Sequence, residues 1–240
     1  MLKLLASLML LSATSLLAQV ECTVSEIKLF TQNPDPSEKS WMKADGRSLL
    51  ADRYPGLYSK LLNNYGGNEV KFNLPLITSV AANDLLVDYY ICVDGVALSN
   101  GHNHTITSIH QYASDRVYDQ QAQVFKASNP AIFPAQNVLP FMSLTYKRFS
   151  DEKFVYMPKI TLGEEVVSGL PLTTYLSYGG YYPVSESDYV CQKGEIVLNF
   201  LLNGNLPKNL REVSLSTTAT IELARETEDS NRYPRAFECL

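Results

Sequence analysis

Three histidines, four cysteines, a scatter of carboxylates and a cluster of tyrosines are the side chains of this 240-residue chain that could do chemistry. His102 and His104 stand two apart in Gly101-His102-Asn103-His104. Residues at that spacing point to one face of a strand, so both imidazoles could reach one metal ion. Two ligands leave a metal short of a full shell, and an exposed polar turn that binds nothing accounts for the same residues. His110 reads as solvent-exposed. Asn103-His104-Thr105 is an N-x-Thr sequon, which makes Asn103 an acceptor only in a host that glycosylates secreted proteins.

The carboxylates and hydroxyls suggest no reaction. There is no Gly-x-Ser-x-Gly elbow, and no histidine falls near an expected strand end with a carboxylate partner. Asp45 and Asp94 each precede a glycine, where turn formation explains them. Asp84, Asp88, Glu164 and Glu165 lack the spacing of an acid/base pair and read as solvated surface. The expectation is a protein that is not an enzyme and carries no cofactor. Tyr175, Tyr178, Tyr181, Tyr182 and Tyr189 fall in or near one expected hairpin. Aromatic rings there could stack on sugars or fill a protein interface, which makes Tyr178, Tyr181 and Tyr182 a candidate ligand surface; cross-strand packing is the competing use.

Composition narrows the class. Aromatics at 10% beside charged residues at only 19% suit a β-rich extracellular module. The net charge of -5 and the lack of a basic run argue against nucleic acid as a partner. Residues 1–18 combine Lys3, an apolar run from Leu4 to Leu17 and the small residue Ala18, the pattern of a secretory signal peptide. That run falls short of the roughly 20 apolar residues needed to span a bilayer. Val20-Glu21 before Cys22 does not fit a lipoprotein site. All four cysteines lie beyond the leader, so two disulfides are expected in an oxidising compartment, with three connectivities open.

The elements are densest between Trp41 and Pro75. An extended segment carrying Trp41 runs into Asp45-Gly46, whose tolerance of positive φ suits a tight reversal. Over residues 52–62 the apolar positions Tyr54, Leu57, Tyr58, Leu61 and Leu62 recur at three- and four-residue steps, predicting a helix with one buried face. Asp52 is the expected N-cap and Pro55 is tolerated in the first turn. Tyr65-Gly66-Gly67 should close the helix. Val70, Phe72 and Leu74 then alternate as one buried strand face until Pro75.

Taken in order, Glu26-Ile27-x-Leu29-Phe30, Trp41, Asp45-Gly46-x-x-Leu49, Tyr54-Pro55-x-Leu57, Tyr65-Gly66-Gly67 and Phe72-x-Leu74-Pro75 resemble the phage tail collar domain. That family occurs in short tail fibres of contractile-tailed phages and in small secreted bacterial proteins. The resemblance runs from about Ser25 to Asn100, where Tyr89-Tyr90-Ile91-Cys92-Val93-Asp94-Gly95 looks like the closing strand. The family usually follows its Leu-Pro with an Asp and an Arg-Gly-Arg-like turn; Leu76-Ile77-Thr78-Ser79 replaces them here, so the inserted receptor-facing region is expected to be absent.

The resemblance implies a mainly β fold with short helices (α+β), two tail-collar-like modules in tandem, stapled by disulfides. Cys22 and Cys92 flank the first and last strands of the recognised unit, so Cys22–Cys92 is the preferred bridge, leaving Cys191 with Cys239. The implied role is a secreted structural or adhesive part of a fibre, appendage or matrix. Its partners would be itself as a homotrimer, other appendage proteins or a cell-surface glycan, with no membrane span after leader removal. In a trimer, His102 and His104 of three chains could together bind one divalent metal on the axis. The rival is an independent secreted lectin-like protein that binds carbohydrate or a receptor.

The expected organisation is residues 1–18 as leader, 19–100 as the collar-like domain, 101–118 as a connector or exposed hairpin, 119–187 as a degenerate second copy, with an unrelated β-rich extension as the competing reading, and 188–240 as a C-terminal β segment. In the second copy, Phe154-Val155-Tyr156-Met157-Pro158-Lys159-Ile160 echoes the segment from Phe72 to Ile77. The stretch from Cys191 to Leu198 parallels that from Cys22 to Leu29. Nothing like the helix and Gly-Gly corner follows it, so 188–240 reads as a strand pair rather than a third domain. Residues 213–223 alternate as one strand, and the polar run 226–231 reads as a solvated segment.

Overall fold

Apolar residues at Ile27, Leu29 and Phe30 make strand β1 (Glu26–Phe30), around which the first part of the chain is laid. The computed structural model of the chain describes residues 22–34, 40–83, 85–96, 104–114, 123–145, 150, 153–163, 166–180, 189, 191–200, 207–216, 219–222 and 234–240. The expected leader and the polar run 226–231 lie outside these residues. After β1 come β2 (Trp41–Lys43), β3 (Ser48–Leu50), helix α1 (Pro55–Leu61), β4 (Lys71–Asn73), β5 (Leu76–Ile77), β6 (Val80–Ala82) and β7 (Leu85–Cys92). A second run holds β8 (Ser108–Tyr112), β9 (Val124–Lys126), β10 (Ala131–Pro134), helix α2 (Leu139–Thr145), β11 (Phe154–Met157), β12 (Lys159–Leu162), β13 (Val166–Ser168) and β14 (Thr173–Ser177). The last run is β15 (Glu195–Asn199), β16 (Leu210–Val213), β17 (Ala219–Glu222) and β18 (Arg235–Cys239).

The fold is mainly β, with few helices. Strands from all three runs join one sheet in the order β16-β18-β15-β1-β8-β14-β9, and β7 also pairs with β1 while carrying β2 and β6. Strand β1 touches β7, β8 and β15, and β8 and β15 also pair with each other. Four two-stranded pairs stand apart: β3 with β4, β5 with β13, β10 with β11, and β12 with β17.

Helix α1 starts at Pro55, three residues after the expected cap. Proline at the first helical position needs no N–H partner and brings its own φ, while Asp52 sits exposed in the turn before it. Leu57 and Leu61, four apart, are fully buried and face the core. Leu62, at φ 47, ends the helix ahead of the glycine pair. Gly67 has its own reason to be glycine, since at φ +102 an added Cβ would lie 2.2 Å from the Lys71 carbonyl.

In the strand that follows, Phe72 and Leu74 are buried at 0%, but Val70 is 67% exposed, against the expected alternation. The Asn68 side chain accepts the N–H groups of Val70 and Lys71, so Val70 sits in an Asx turn and the strand begins one residue later. Asp45-Gly46 turns the chain, with Gly46 at φ 77, but builds no hairpin. Strand β2 pairs with β7 and β3 with β4, so the turn hands the chain from the large sheet to a small one. Trp41 is buried against the edge of Phe30, beside Tyr90 and the Cys22–Cys92 bridge.

Disulfides join Cys22 to Cys92 and Cys191 to Cys239, with Cα separations of 6.0 and 6.3 Å. By the chain-entropy argument each contributes about 2–4 kcal/mol.

Three sequence expectations change. The stretch 101–118 is more than a connector, because β8 lies inside it as a central strand with buried Ile109 and Tyr112. His110, on that strand, is largely buried, because β8 has a neighbour on each side. Among the described residues the segment 188–240 holds four strands, where a strand pair and one further strand were expected, and the alternating stretch 213–223 is split between β16 and β17. Strands of 19–100 and 119–187 share the large sheet, since β1 and β14 both pair with β8.

Truncating Leu57 or Phe72 to alanine empties a fully buried site and should cost about 3–5 kcal/mol, while Val70→Ala should stay within about 0.5 kcal/mol. Urea unfolding of the three variants checks the contrast.

Candidate functional site

Strand alternation puts Glu26 and Lys28 on one face of β1, Ser108 and His110 on one face of β8, and Glu195 and Val197 on one face of β15. These strands meet around a cavity of about 90 Å³ that also reaches His104 and Tyr189. Lys28 Nζ lies 2.8 Å from Glu195 and 3.9 Å from Glu26. Each carboxylate is also tied to the turn before its own strand: Glu26 accepts the Thr23 N–H at 3.2 Å and Glu195 the Gln192 N–H at 3.0 Å. Asn199 bridges outward, accepting from the Thr107 hydroxyl at 2.5 Å and donating to the Tyr189 phenol at 3.4 Å.

Burial alone would raise the Glu26 carboxyl, but the Lys28 ammonium and the hydrogen bond with His110 more than offset it and hold its pKa down to about 2. Burial would likewise lower Lys28, and the Glu195 and Glu26 carboxylates instead raise it above its ordinary value. Burial pushes the Tyr189 phenol up.

Ser108, His110 and Glu26 form a serine–histidine–carboxylate row, with Oγ 2.6 Å from Nε2 and Nδ1 3.2 Å from Oε1. In a hydrolase the serine proton passes to the imidazole. Here the Ser108 hydroxyl donates to the Thr105 carbonyl at 2.6 Å, which leaves Nε2 as the donor to Oγ. Ser108 is also only 2% exposed. The row therefore ties β8 to β1 and presents no free nucleophile.

Sequence reasoning missed this cluster. A signal was there: polar residues two apart inside apolar strands, Glu26-Ile27-Lys28 and Ser108-Ile109-His110, ask for partners. Of the residues singled out instead, His102, Asn103, Tyr181 and Tyr182 lie outside the described residues. His104 sets its ring 4.1 Å from that of His110. Among the described residues no group of three or more His, Cys, Asp and Glu could hold a metal ion. Tyr178 is half-buried against Phe133, and Tyr175 is buried edge-on to Tyr112.

The charged centre is thus an interstrand tie in a mainly β fold held by two disulfides. Residues 25–79 match the family model of the Phage Tail Collar Domain, and that segment is a collar domain. Trp41, Asp45, Gly46, Tyr54, Pro55, Leu57, Tyr65, Gly66, Gly67, Phe72, Leu74 and Pro75 all fall inside the match. No curated protein and no solved structure matches the chain. Among the described residues no helix is long and apolar enough to cross a membrane.

A depressed acid contributes stability that is complete above its unfolded pKa and lost as pH falls through its folded one. For Glu26 the window runs from about 4.5 down to about 2, with an effect on the order of 3 kcal/mol. Melting temperature should fall across that window, and Glu26→Gln should flatten the fall. Lys28→Met leaves two buried carboxylates without their cation and should cost about 3–5 kcal/mol at neutral pH.

Proposed function

We propose that this chain is an exported structural component of a tail-, fibre- or appendage-type assembly, with an adhesive rather than a catalytic role. The observation that carries the reading is the Phage Tail Collar Domain match over residues 25–79, a structural family. The family's signature side chains Leu57, Tyr65, Phe72 and Leu74 pack together in one core, which supports a working collar scaffold rather than a remnant. The leader-like residues 1–18 and the two disulfides favour assembly outside the cytoplasm. Its partners are other proteins of the assembly, and the surface it meets is a cell-surface glycan.

Quantitative mass spectrometry of purified appendages or particles from the producing cells tests this. The chain should co-purify with them at a fixed ratio, beginning after Ala18. Recovery only as free protein in the medium, with binding on a glycan array, would favour the lectin-like alternative. A hydrolytic activity abolished by Ser108→Ala in a folded variant would overturn the non-catalytic reading.

A further inference from the structure

We propose that the chain is three divergent copies of one unit closed around an internal pseudo-threefold axis, so that a trimer-like ring is built within a single polypeptide. The pairing of the central strands is cyclic. The start of β1 meets the end of β8, with Glu26 opposite Tyr112 and Ile27 opposite Gln111. The start of β8 meets the end of β15, with Ser108 opposite Asn199 and Ile109 opposite Leu198. The start of β15 meets the end of β1, with Glu195 opposite Phe30 and Ile196 opposite Leu29. One register is thus used three times, as a rotation that closes on itself requires.

Each central strand is entered the same way. Ser25, Thr107 and Gly194 take φ values of 74, 73 and 79, a region that residues other than glycine seldom occupy. The next residue then donates its N–H three residues back: Glu26 to Thr23, Ser108 to Thr105 and Glu195 to Gln192, at 2.9, 3.0 and 2.9 Å. Each central strand also carries a late antiparallel partner, which in turn carries an intermediate strand: β7 with β2, β14 with β9, and β18 with β16. In this frame Trp41 opposite Cys92 corresponds to Val124 opposite Ser177 and Leu210 opposite Cys239.

The first two units share finer detail. Ala44 donates to the Tyr89 carbonyl and accepts from Ile77, and Ala127 donates to the Thr174 carbonyl and accepts from Ile160. Ala51 bonds Val70 beyond helix α1, and Ala135 bonds Lys153 beyond α2. A Cβ on Gly95 would strike the Cys22 carbonyl at 2.2 Å, and one on Gly180 the His104 carbonyl at 2.0 Å. The third unit keeps the disulfide of the first: Cys191 and Cys239 occupy the places of Cys22 and Cys92. In the middle unit those two places hold His104 and Ser177.

A single chain also allows what three identical chains cannot. The equivalent positions on the axis are Glu26, Ser108 and Glu195, followed by Lys28, His110 and Val197. Three copies of the first unit would converge three glutamates and three lysines in one small space. Divergence leaves one lysine between two carboxylates. The ring uses all three of its own central edges, so the homotrimer expected from the family resemblance is replaced by a monomer.

The double variant His104→Cys/Ser177→Cys tests the equivalence, because the middle unit should then form a third disulfide in the pattern of the other two. Expressed under oxidising conditions, it should alkylate no thiol in a folded protein and yield a cross-linked peptide pair joining positions 104 and 177. Two free thiols in a natively folded variant, or bridges shuffled to the original cysteines, would overturn the assignment. Should the variant fail to fold, sedimentation equilibrium of the unaltered protein decides. A mass of one chain supports the closed ring and a stable trimer refutes it.

Discussion

Two carboxylates and one ammonium removed from water, where three strands distant in sequence converge, set the terms for the rest of this molecule. Lys28 reaches Glu195 across the β1–β15 boundary while Glu26 meets His110 across the β1–β8 boundary. A buried charge without its partner is costly, and the partners come from segments more than 80 residues apart in the chain, the separation from Glu26 to His110 being 84. None of these segments can satisfy its own polar groups alone. The apolar cores lie outside this centre: Leu57, Phe72 and Leu74 pack in one, Phe141, Val155 and Met157 in another, and Val197 and Phe237 in a third. Hydrophobic burial supplies most of the driving force, and the charged centre penalises any pairing that leaves a buried charge without its partner.

The legible part of the sequence was the local part. Pro55 and the Leu57/Leu61 spacing wrote helix α1, and Gly67 wrote a corner that only glycine can turn, because each depends on residues a few positions apart. Strand pairing was less legible. Asp45-Gly46 has the chemistry of a hairpin turn, yet the partner of β2 is β7, roughly 50 residues on, and nothing beside the turn encodes that choice. The stretch holding β8 looked like a connector because Ser108, His110 and Gln111 are polar. Their partners on β1, β14 and β15 make the burial tolerable, and partners are invisible in a linear reading. The likeness between the segments after Cys22 and Cys191 was visible in the sequence, but without the strand pairings it read only as a strand pair.

A collar-type scaffold constrains function loosely, since one fold serves many roles. What this chain adds is a centre in which a serine, a histidine and a carboxylate line up as they do in hydrolases and are used as mortar. The Thr105 carbonyl accepts the hydrogen bond of the serine hydroxyl, and the serine is almost wholly buried.

If the three central strands are one cooperative unit, their backbone amides must open together. Native-state hydrogen exchange measures this directly. The account predicts that the slowest amides of β1, β8 and β15 share one opening free energy, equal to that of global unfolding. A lower, independent opening of β8 with β14 while β1 and β7 stay protected would contradict it.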